Sequence, residues 1–428
     1  MSDLLNRNSH RPAPLVNPQR WPDIANVPAA SIKATIARVL FRRVARKLPL
    51  RVEFPGGEVL GRGGPVMRIL RPAAFYRRIG AGGLIGFGEA YMAGDWAAHD
   101  LPGVLTIFAS QVSKLVPPAL QRLRAAAVRR QPRTERGTPE NARTNISRHY
   151  DLSNDLFSTF LDETMTYSSA DFDSVGGQPI ASWDLLAMAQ RRKIDRLLDG
   201  AGVTAGTRVL EVGTGWGELA IRAAARGAYV HSITLSEEQR ELALRRVAAA
   251  GLSDRVTIEL RDYREVTGKY DAVVSVEMIE AVGYAYWSEY FAVLNRVLHP
   301  GGSIGLQAIT MPHDRMLATR NTYTWIHKYI FPGGLLPSVR SVGESAREHG
   351  LRITDDHAFG PHYAETLRLW RERFDARGDE VRELGFDEMF GTMWRLYLAY
   401  SEAGFRSGYL DVHQFVIVKD PSVGNEAV

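Results

Sequence analysis

Apolar positions along this chain change their period several times, and each change marks an element. From residue 208 onward, short apolar runs alternate with amphipathic helical stretches. RVLEVGTG reads as a strand entering a Gly-rich turn, and ELAIRAAARG as the helix behind it. YVHSITL predicts a second strand, EEQRELALRRVAAAG a second helix and RVTIELRDY a third strand. YDAVVSVEMIEAV and GGSIGLQAIT supply the fourth and fifth, and HQFVIVK is expected to close the sheet as a final edge strand. Strands and helices in this alternation predict a parallel, doubly wound sheet. The helix AQRRKIDRLLDGAG precedes it and stops on glycine.

The pattern nearer the N-terminus differs. Residues 1–30 are rich in Pro and Asn and read as a mobile arm. In SIKATIARVLFRRVARKLPL, Ile32, Ile36, Val39, Leu40 and Val44 recur at helical spacing, while Lys33, Arg38, Arg42, Arg43, Arg46 and Lys47 are expected on the opposite face. Two readings stand side by side: a helix for a membrane surface, or one packed on its own domain with its charges in water. LRVEFPGGEVLG predicts a hairpin turning at Gly56-Gly57, VMRIL a further strand and AAFYRRIG a helix. LIGFGEAYMAGDW, with its glycines and aromatics, reads as a closely packed pocket wall rather than a plain helix. Gln121 to Arg143 is Arg-rich, broken by Pro132 and Pro139, and reads as a linker. The division is therefore a small α+β domain over residues 1–140 and an α/β domain over 141–428.

Composition sharpens this picture in two ways. Residues 1–148 hold 24 Lys+Arg against 9 Asp+Glu, and the remainder 29 against 39. Positive charge is thus segregated at one end, which suits a polyanionic surface, either nucleic acid or anionic lipid, with a solvated basic face as the plainer alternative. Cysteine is absent, which excludes disulfides, thiolate nucleophiles and Cys-ligated zinc. The N-terminus carries no apolar signal core, and no apolar run is long enough to span a bilayer. The expectation is a cytoplasmic protein, peripheral to the membrane.

VLEVGTGWGELA carries the cofactor chemistry. Gly213, Gly215 and Gly217 follow a strand directly and open a helix, so a ligand can approach the backbone at the strand's carboxyl end. Glu218 stands where a dinucleotide fingerprint needs its third glycine, and Glu211 would repel a pyrophosphate. An acidic residue ahead of G-x-G-x-G suits a cationic ligand, and the motif is that of S-adenosylmethionine loops. Asp262, beyond the third strand, is placed either for an adenine amino group or as a helix cap. Thr234 to Gln239 lies beyond the second strand, where the ribose and methionine parts would run. After the fourth strand there is no proline, against base methylation and so against a nucleic-acid partner. Glu280 offers instead a carboxylate near the transferred methyl, where negative charge stabilises a sulfonium or a carbocation.

HYDLSNDLF, MTYSSADF, VLEVGTGWG, TLSEEQ, RDYR, SVEMIEAVG, WIHKYIFPGGLLPS and GPHYAETLRLWRERF, in this order, resemble the cyclopropane-fatty-acyl-phospholipid synthase family, which includes the mycolic acid cyclopropane synthases. The resemblance covers about residues 145–420, with GFGEAYMAGDW extending it upstream. EMIEAVGY, LQAITMPH and YLAYSEAGFRSGYLDV look most similar to the tuberculostearic acid methyltransferase branch. It implies a class I S-adenosylmethionine-dependent methyltransferase fold, Rossmann-like, with a smaller N-terminal domain. It also implies methylenation of the double bond of an oleoyl phospholipid through a carbocation. A separate reductase would act on the product, and a homodimer is a candidate assembly. Cyclopropane formation on the same substrate is the alternative, and a non-catalytic membrane lipid-binding protein the alternative of another class.

The same resemblance implies a site. Bicarbonate is its candidate base, and the positions matching its ligands are Ser169, Glu280, Gln307, Ile309 and Tyr363. Ser169 and Gln307 depart from the Cys and His usual there, and Ala281 from a His. Tyr167, Ser168, Gly213, Gly215, Trp216, Thr234, Gln239 and Asp262 are the implied cofactor contacts, with His149 and Tyr150 over the active site. An acyl chain also needs apolar walls, for which Phe157, Phe160, Trp325, Tyr329, Phe331, Trp370 and Phe374 are candidates. The segment from His149 to Phe172 is expected to form a lid, polar toward the cofactor and apolar toward the lipid.

Overall fold

A computed structural model describes residues 16–115 and 153–419; His149, Tyr150 and the expected linker lie outside the described residues. The chain forms two compact units, and the first takes Thr324–Tyr329 and Arg371–Ser407 as well as the described part of Met1–Val128.

Within the first unit, β1 (Arg51–Glu53) and β2 (Val59–Leu60) form the expected hairpin. Gly56 and Gly57 turn it with φ of +87° and +89°, a left-handed conformation that costs glycine little. β3 (Val66–Ile69) and β4 (Trp96–Ala98) complete a sheet of order β2-β1-β3-β4. LIGFGEAYM is a plain helix, Leu84–Met92, contrary to the expected pocket wall. Its glycines do serve close packing: a Cβ on Gly86 would collide with the Arg78 carbonyl, and one on Gly88 would lie 2.5 Å from the Trp325 ring. Part of the expected arm is ordered too, since Pro22–Ala25 forms a helical turn. Buried Arg78 explains the order, donating to the carbonyls of Asp23 and Ile24, both at 2.6 Å, and to Asp95 at 3.0 Å. The basic helix spans Ile32–Ala45, its first turn capped by the Ser31 hydroxyl.

The second unit holds a two-residue ladder, β5 (Ser174–Val175) with β6 (Gln178–Pro179), and the main sheet. The sheet strands are β7 (Arg208–Val212), β8 (Tyr229–Thr234), β9 (Val256–Leu260), β10 (Tyr270–Val276), β11 (Leu298–Thr310), β12 (Leu351–Ala358) and β13 (Asp411–Lys419). Their order is β12-β13-β11-β10-β7-β8-β9. β7 to β11 run parallel and β13 is antiparallel to both its neighbours. HQFVIVK is therefore an interior strand, not the expected edge. Val412, Phe415 and Ile417 are fully buried, as a strand covered on both faces requires, whereas LRITDDHA, largely solvent-facing, takes the edge.

Alternate residues of the parallel strands enter two separate cores. Leu210, Val212 and Ile233 pack with Trp287, Phe291 and Leu294 on one face. Val209, Val230 and Ile258 pack with Ile194, Leu197, Ala220 and Ala223 on the other. The chain reverses its direction of winding between β7 and β10, which opens a crevice at their carboxyl ends. Both candidate constellations lie at that end of the sheet.

Candidate active site

β7 leads into Gly213, Gly215 and Gly217 at φ of +96°, +52° and +90°, and the helix Glu218–Ala225 follows. A Cβ on Gly213 would stand 2.6 Å from Met278 Cγ, whereas above Gly215 there is open space. The loop thus exposes backbone where a ligand can lie against it. Trp216 is buried, its indole donating to Asn154 Oδ1 at 2.6 Å and its ring 4.9 Å from Phe157. Arg246 bonds the carbonyls of Trp216 (2.7 Å) and Thr164 (3.0 Å), tying the segment before Tyr167 to the glycine loop. On the next strand, Thr234 Oγ1 donates to Gln239 Oε1 at 3.1 Å. Asp262 stands beyond β9, where its Oδ1 caps a short turn by accepting from Arg264 N at 3.0 Å. Thr234, Asp262 and the loop therefore follow three adjacent strands, an arrangement suited to the nucleoside and amino-acid parts of S-adenosylmethionine.

Glu211 behaves differently from its reading in the sequence. It is 2% exposed and accepts from Ser232 Oγ on the neighbouring strand. Burial pushes its carboxyl up to about 8, against the Ser232 hydrogen bond, so it is neutral at pH 7. It is not a free negative charge for a cationic ligand.

Beside the loop, rings line up. Tyr167 lies 5.1 Å from Phe157 and 5.3 Å from Trp370, and Trp370 is 6.3 Å from both Phe160 and Tyr363. Of the residues expected to wall an acyl chain, Phe157, Phe160 and Trp370 are thus joined through Tyr167. Phe331, also in the second unit, is partly buried, while Trp325, Tyr329 and Phe374 belong to the first unit. Trp325 and Tyr329 pack there, their rings 5.4 Å apart, and Phe374 stands 6.5 Å from Trp394.

The expected anion ligands converge, but on a side chain that the sequence did not single out. Glu277, at the carboxyl end of β10, receives Ser169 N (3.3 Å) and Gln307 Nε2 (2.9 Å) on Oε1, and Tyr363 Oη (2.7 Å) on Oε2. The Ser169 hydroxyl, read as an anion donor, turns to the Ala170 carbonyl at 3.0 Å; its backbone N–H reaches Glu277 instead. Gln414 on β13 donates to Gln307 Oε1 at 3.0 Å, which leaves the Gln307 amino group facing Glu277. Glu280 stands close by but bonds elsewhere: its Oε1 accepts from Ile309 N at 2.6 Å, and its buried Oε2 has no hydrogen-bond partner.

Charge is graded through this cluster. Burial raises Glu280 to about 8, with the Glu277 charge adding to the shift. Burial also raises Glu277, but Lys193, Tyr363, Gln307 and the Ser169 N–H all pull the other way. Lys193 is an almost fully buried lysine that donates to Ser168 Oγ at 2.6 Å. Burial lowers it to about 8, opposed by Glu277, Asp162 and Asp171. Glu280 is thereby kept protonated at neutral pH, beside a carboxyl whose rise is opposed by four neighbouring groups. Lys193 and Gln414, not singled out in the sequence, carried one signal that could have exposed them: a polar residue on the apolar stripe of a helix or inside a strand buried on both faces.

A Gly-rich loop at the sheet's switch point, with hydrogen-bonding groups after three adjacent strands, defines a class I S-adenosylmethionine-dependent methyltransferase. Comparison with known proteins gives the family. The model of mycolic acid cyclopropane synthetase matches residues 138–415. Tuberculostearic acid methyltransferase UfaA1 of Mycobacterium tuberculosis is 57% identical over 96% of this chain and 98% of its own. The cyclopropane-fatty-acyl-phospholipid synthase of Escherichia coli K12 is 35% identical over 80% of this chain and 85% of its own. The solved structure of mycolic acid cyclopropane synthase CmaA1 complexed with SAH and CTAB has a TM-score of 0.58 at 31% identity, covering 68% of this chain and 99% of that one. The chain belongs to the mycolic acid cyclopropane synthetase family. It is a methyltransferase acting on lipid acyl chains.

Proposed function

We propose that this enzyme methylenates the double bond of an oleoyl-type phospholipid chain, giving a mid-chain methylene precursor of tuberculostearic acid. The observation that carries this reading is the 57% identity to UfaA1, which runs through both units rather than the catalytic one alone. When bound, S-adenosylmethionine supplies a methyl group on a positively charged sulfur. The residues do the rest. The glycine loop and the groups after β8 and β9 hold the donor, and the rings of Tyr167, Phe157, Phe160 and Trp370 offer an apolar wall for the acyl chain. The negative charge at Glu277 stabilises the cation that forms on the lipid. Cyclopropane formation is the second reading, favoured by the likeness to the E. coli synthase.

The substrate lies in a membrane, and the first unit supports docking there. Ile32, Ile36, Val39 and Leu40 are 82%, 52%, 58% and 47% exposed, whereas the residues this helix buries are Ala37 and Ala45. These four apolar side chains face solvent, with Lys33, Arg38, Arg43, Arg46 and Lys47 exposed beside them, while Phe41 packs inward on Phe75. That combination suits an anionic bilayer surface. Among the described residues no helix is long and apolar enough to cross a membrane.

The test is incubation with methyl-labelled S-adenosylmethionine and dioleoyl phosphatidylglycerol vesicles, followed by proton NMR of the extracted lipid. Vinylidene protons are expected. Cyclopropyl protons would establish the second reading, and an absence of label in lipid would overturn both.

A further inference from the structure

We propose that the Glu277 carboxylate is itself the base of the reaction, standing where the resemblance places a bound bicarbonate. Three of the groups expected to hold that ion, at Ser169, Gln307 and Tyr363, already bond both oxygens of this side chain. A small anion held by the same three groups would have to displace this carboxylate from them. The backbone points the same way. Glu277 has φ of +54°, a left-handed conformation rare for a residue with a side chain. Such a conformation costs roughly 1–2 kcal/mol and persists where surrounding structure imposes it, commonly at functional sites. Here its N–H donates to the Gln307 carbonyl at 2.8 Å, so the same residue of β11 holds both the backbone and the side chain of Glu277. The orientation of Gln307 is set in turn by Gln414, whose amide also donates to the Lys193 carbonyl at 2.9 Å. These contacts anchor a carboxylate beside the ring wall through Tyr363, whose own ring stands 6.3 Å from Trp370.

The step balances as follows. The alkene's π pair forms a bond to the methyl carbon, and the sulfur–methyl pair returns to sulfur, leaving a neutral thioether and a cation on the neighbouring chain carbon. A 1,2-hydride shift moves the cation to the methyl-bearing carbon. A C–H pair of the new methyl then becomes the C=CH2 bond, and its proton passes to Glu277. The carboxylate becomes a neutral carboxyl as the sulfonium charge disappears, so no co-reactant is needed. Neighbouring Glu280, protonated at neutral pH, does not compete for that proton.

This inference rests on the proposed lipid reaction, and its test separates the two. Label transfer to dioleoyl phosphatidylglycerol is measured in carbon-dioxide-depleted buffer and with added bicarbonate, for wild type, Glu277→Gln and Glu277→Gly. Glycine suits the left-handed backbone and opens the donor set. Wild type is expected to be indifferent to bicarbonate. Glu277→Gln should fall at least 100-fold while still binding S-adenosylhomocysteine, and Glu277→Gly should recover activity as bicarbonate or formate is added. Wild-type stimulation by bicarbonate, or a Glu277→Gln variant at the wild-type rate, would overturn the assignment. A wild type inert on lipid would sink the proposed function instead. In that case binding of 13C-labelled bicarbonate, followed by NMR, still decides the question. Binding to Glu277→Gly and not to wild type supports it, and equal binding refutes it.

Discussion

Replacing Glu211 by Gln should stabilise the protein, and by more at higher pH. The wild-type carboxyl is buried against Ser232 and titrates near 8, against 4.5 for an ordinary glutamate. Below pH 4.5 the group is protonated in both folded and unfolded chains, and its contribution to stability is intact. Between 4.5 and about 8 the unfolded chain releases the proton and the folded chain keeps it, so stability is lost as pH rises. At pH 7 the loss is on the order of 3 kcal/mol, from the 1.36 kcal/mol that each pH step above 4.5 adds. Glutamine can accept the same Ser232 hydroxyl and never ionises. Urea midpoints of wild type and Glu211→Gln should be close at pH 5 and diverge steadily to pH 8, the variant being the more stable. Glu280 and Lys193 also titrate near 8, but they are present in both proteins and cancel in the difference. A gap that stays constant from pH 5 to pH 8 would refute the neutral, buried carboxyl.

Gly213→Ala should place a methyl 2.6 Å from Met278 Cγ at a φ that costs a side chain roughly 1–2 kcal/mol, and calorimetry should show S-adenosylhomocysteine binding weakened at least tenfold. Arg78→Met strips buried Asp95 of one cation and leaves two carbonyls of the Pro22–Ala25 turn without a donor; a loss of about 3 kcal/mol in chemical denaturation is expected. Gln414→Leu frees the Gln307 amide to turn away from Glu277, so kcat should fall about tenfold with KM unchanged. Ser substitutions at Ile32, Ile36 and Val39 should abolish sedimentation with anionic vesicles while leaving the melting temperature within about 2 °C, since these side chains are exposed.

Local pattern was enough for the α/β sheet, the glycine loop and the family, because strand and helix periods and a strand–turn–helix ligand loop are encoded over a dozen residues. Pattern was not enough to choose between Glu277 and Glu280. Both lie in SVEMIEAV, and their roles depend on where β10 ends and on a left-handed backbone turn that aims one carboxylate at Ser169, Gln307 and Tyr363. Those partners lie at least 30 residues away in the chain, so only the folded sheet brings them together. The basic helix makes the same point on the surface. Its sequence fixed an apolar stripe and a charged one, but which stripe faces the protein is settled by what packs against it, and the helix buries its alanines. Similarly, HQFVIVK announces a strand, while its place between β11 and β12 follows from hydrogen bonds to strands that begin 113 and 60 residues earlier. Residue type and spacing determined the chemistry available to this protein; long-range packing decided which atoms meet.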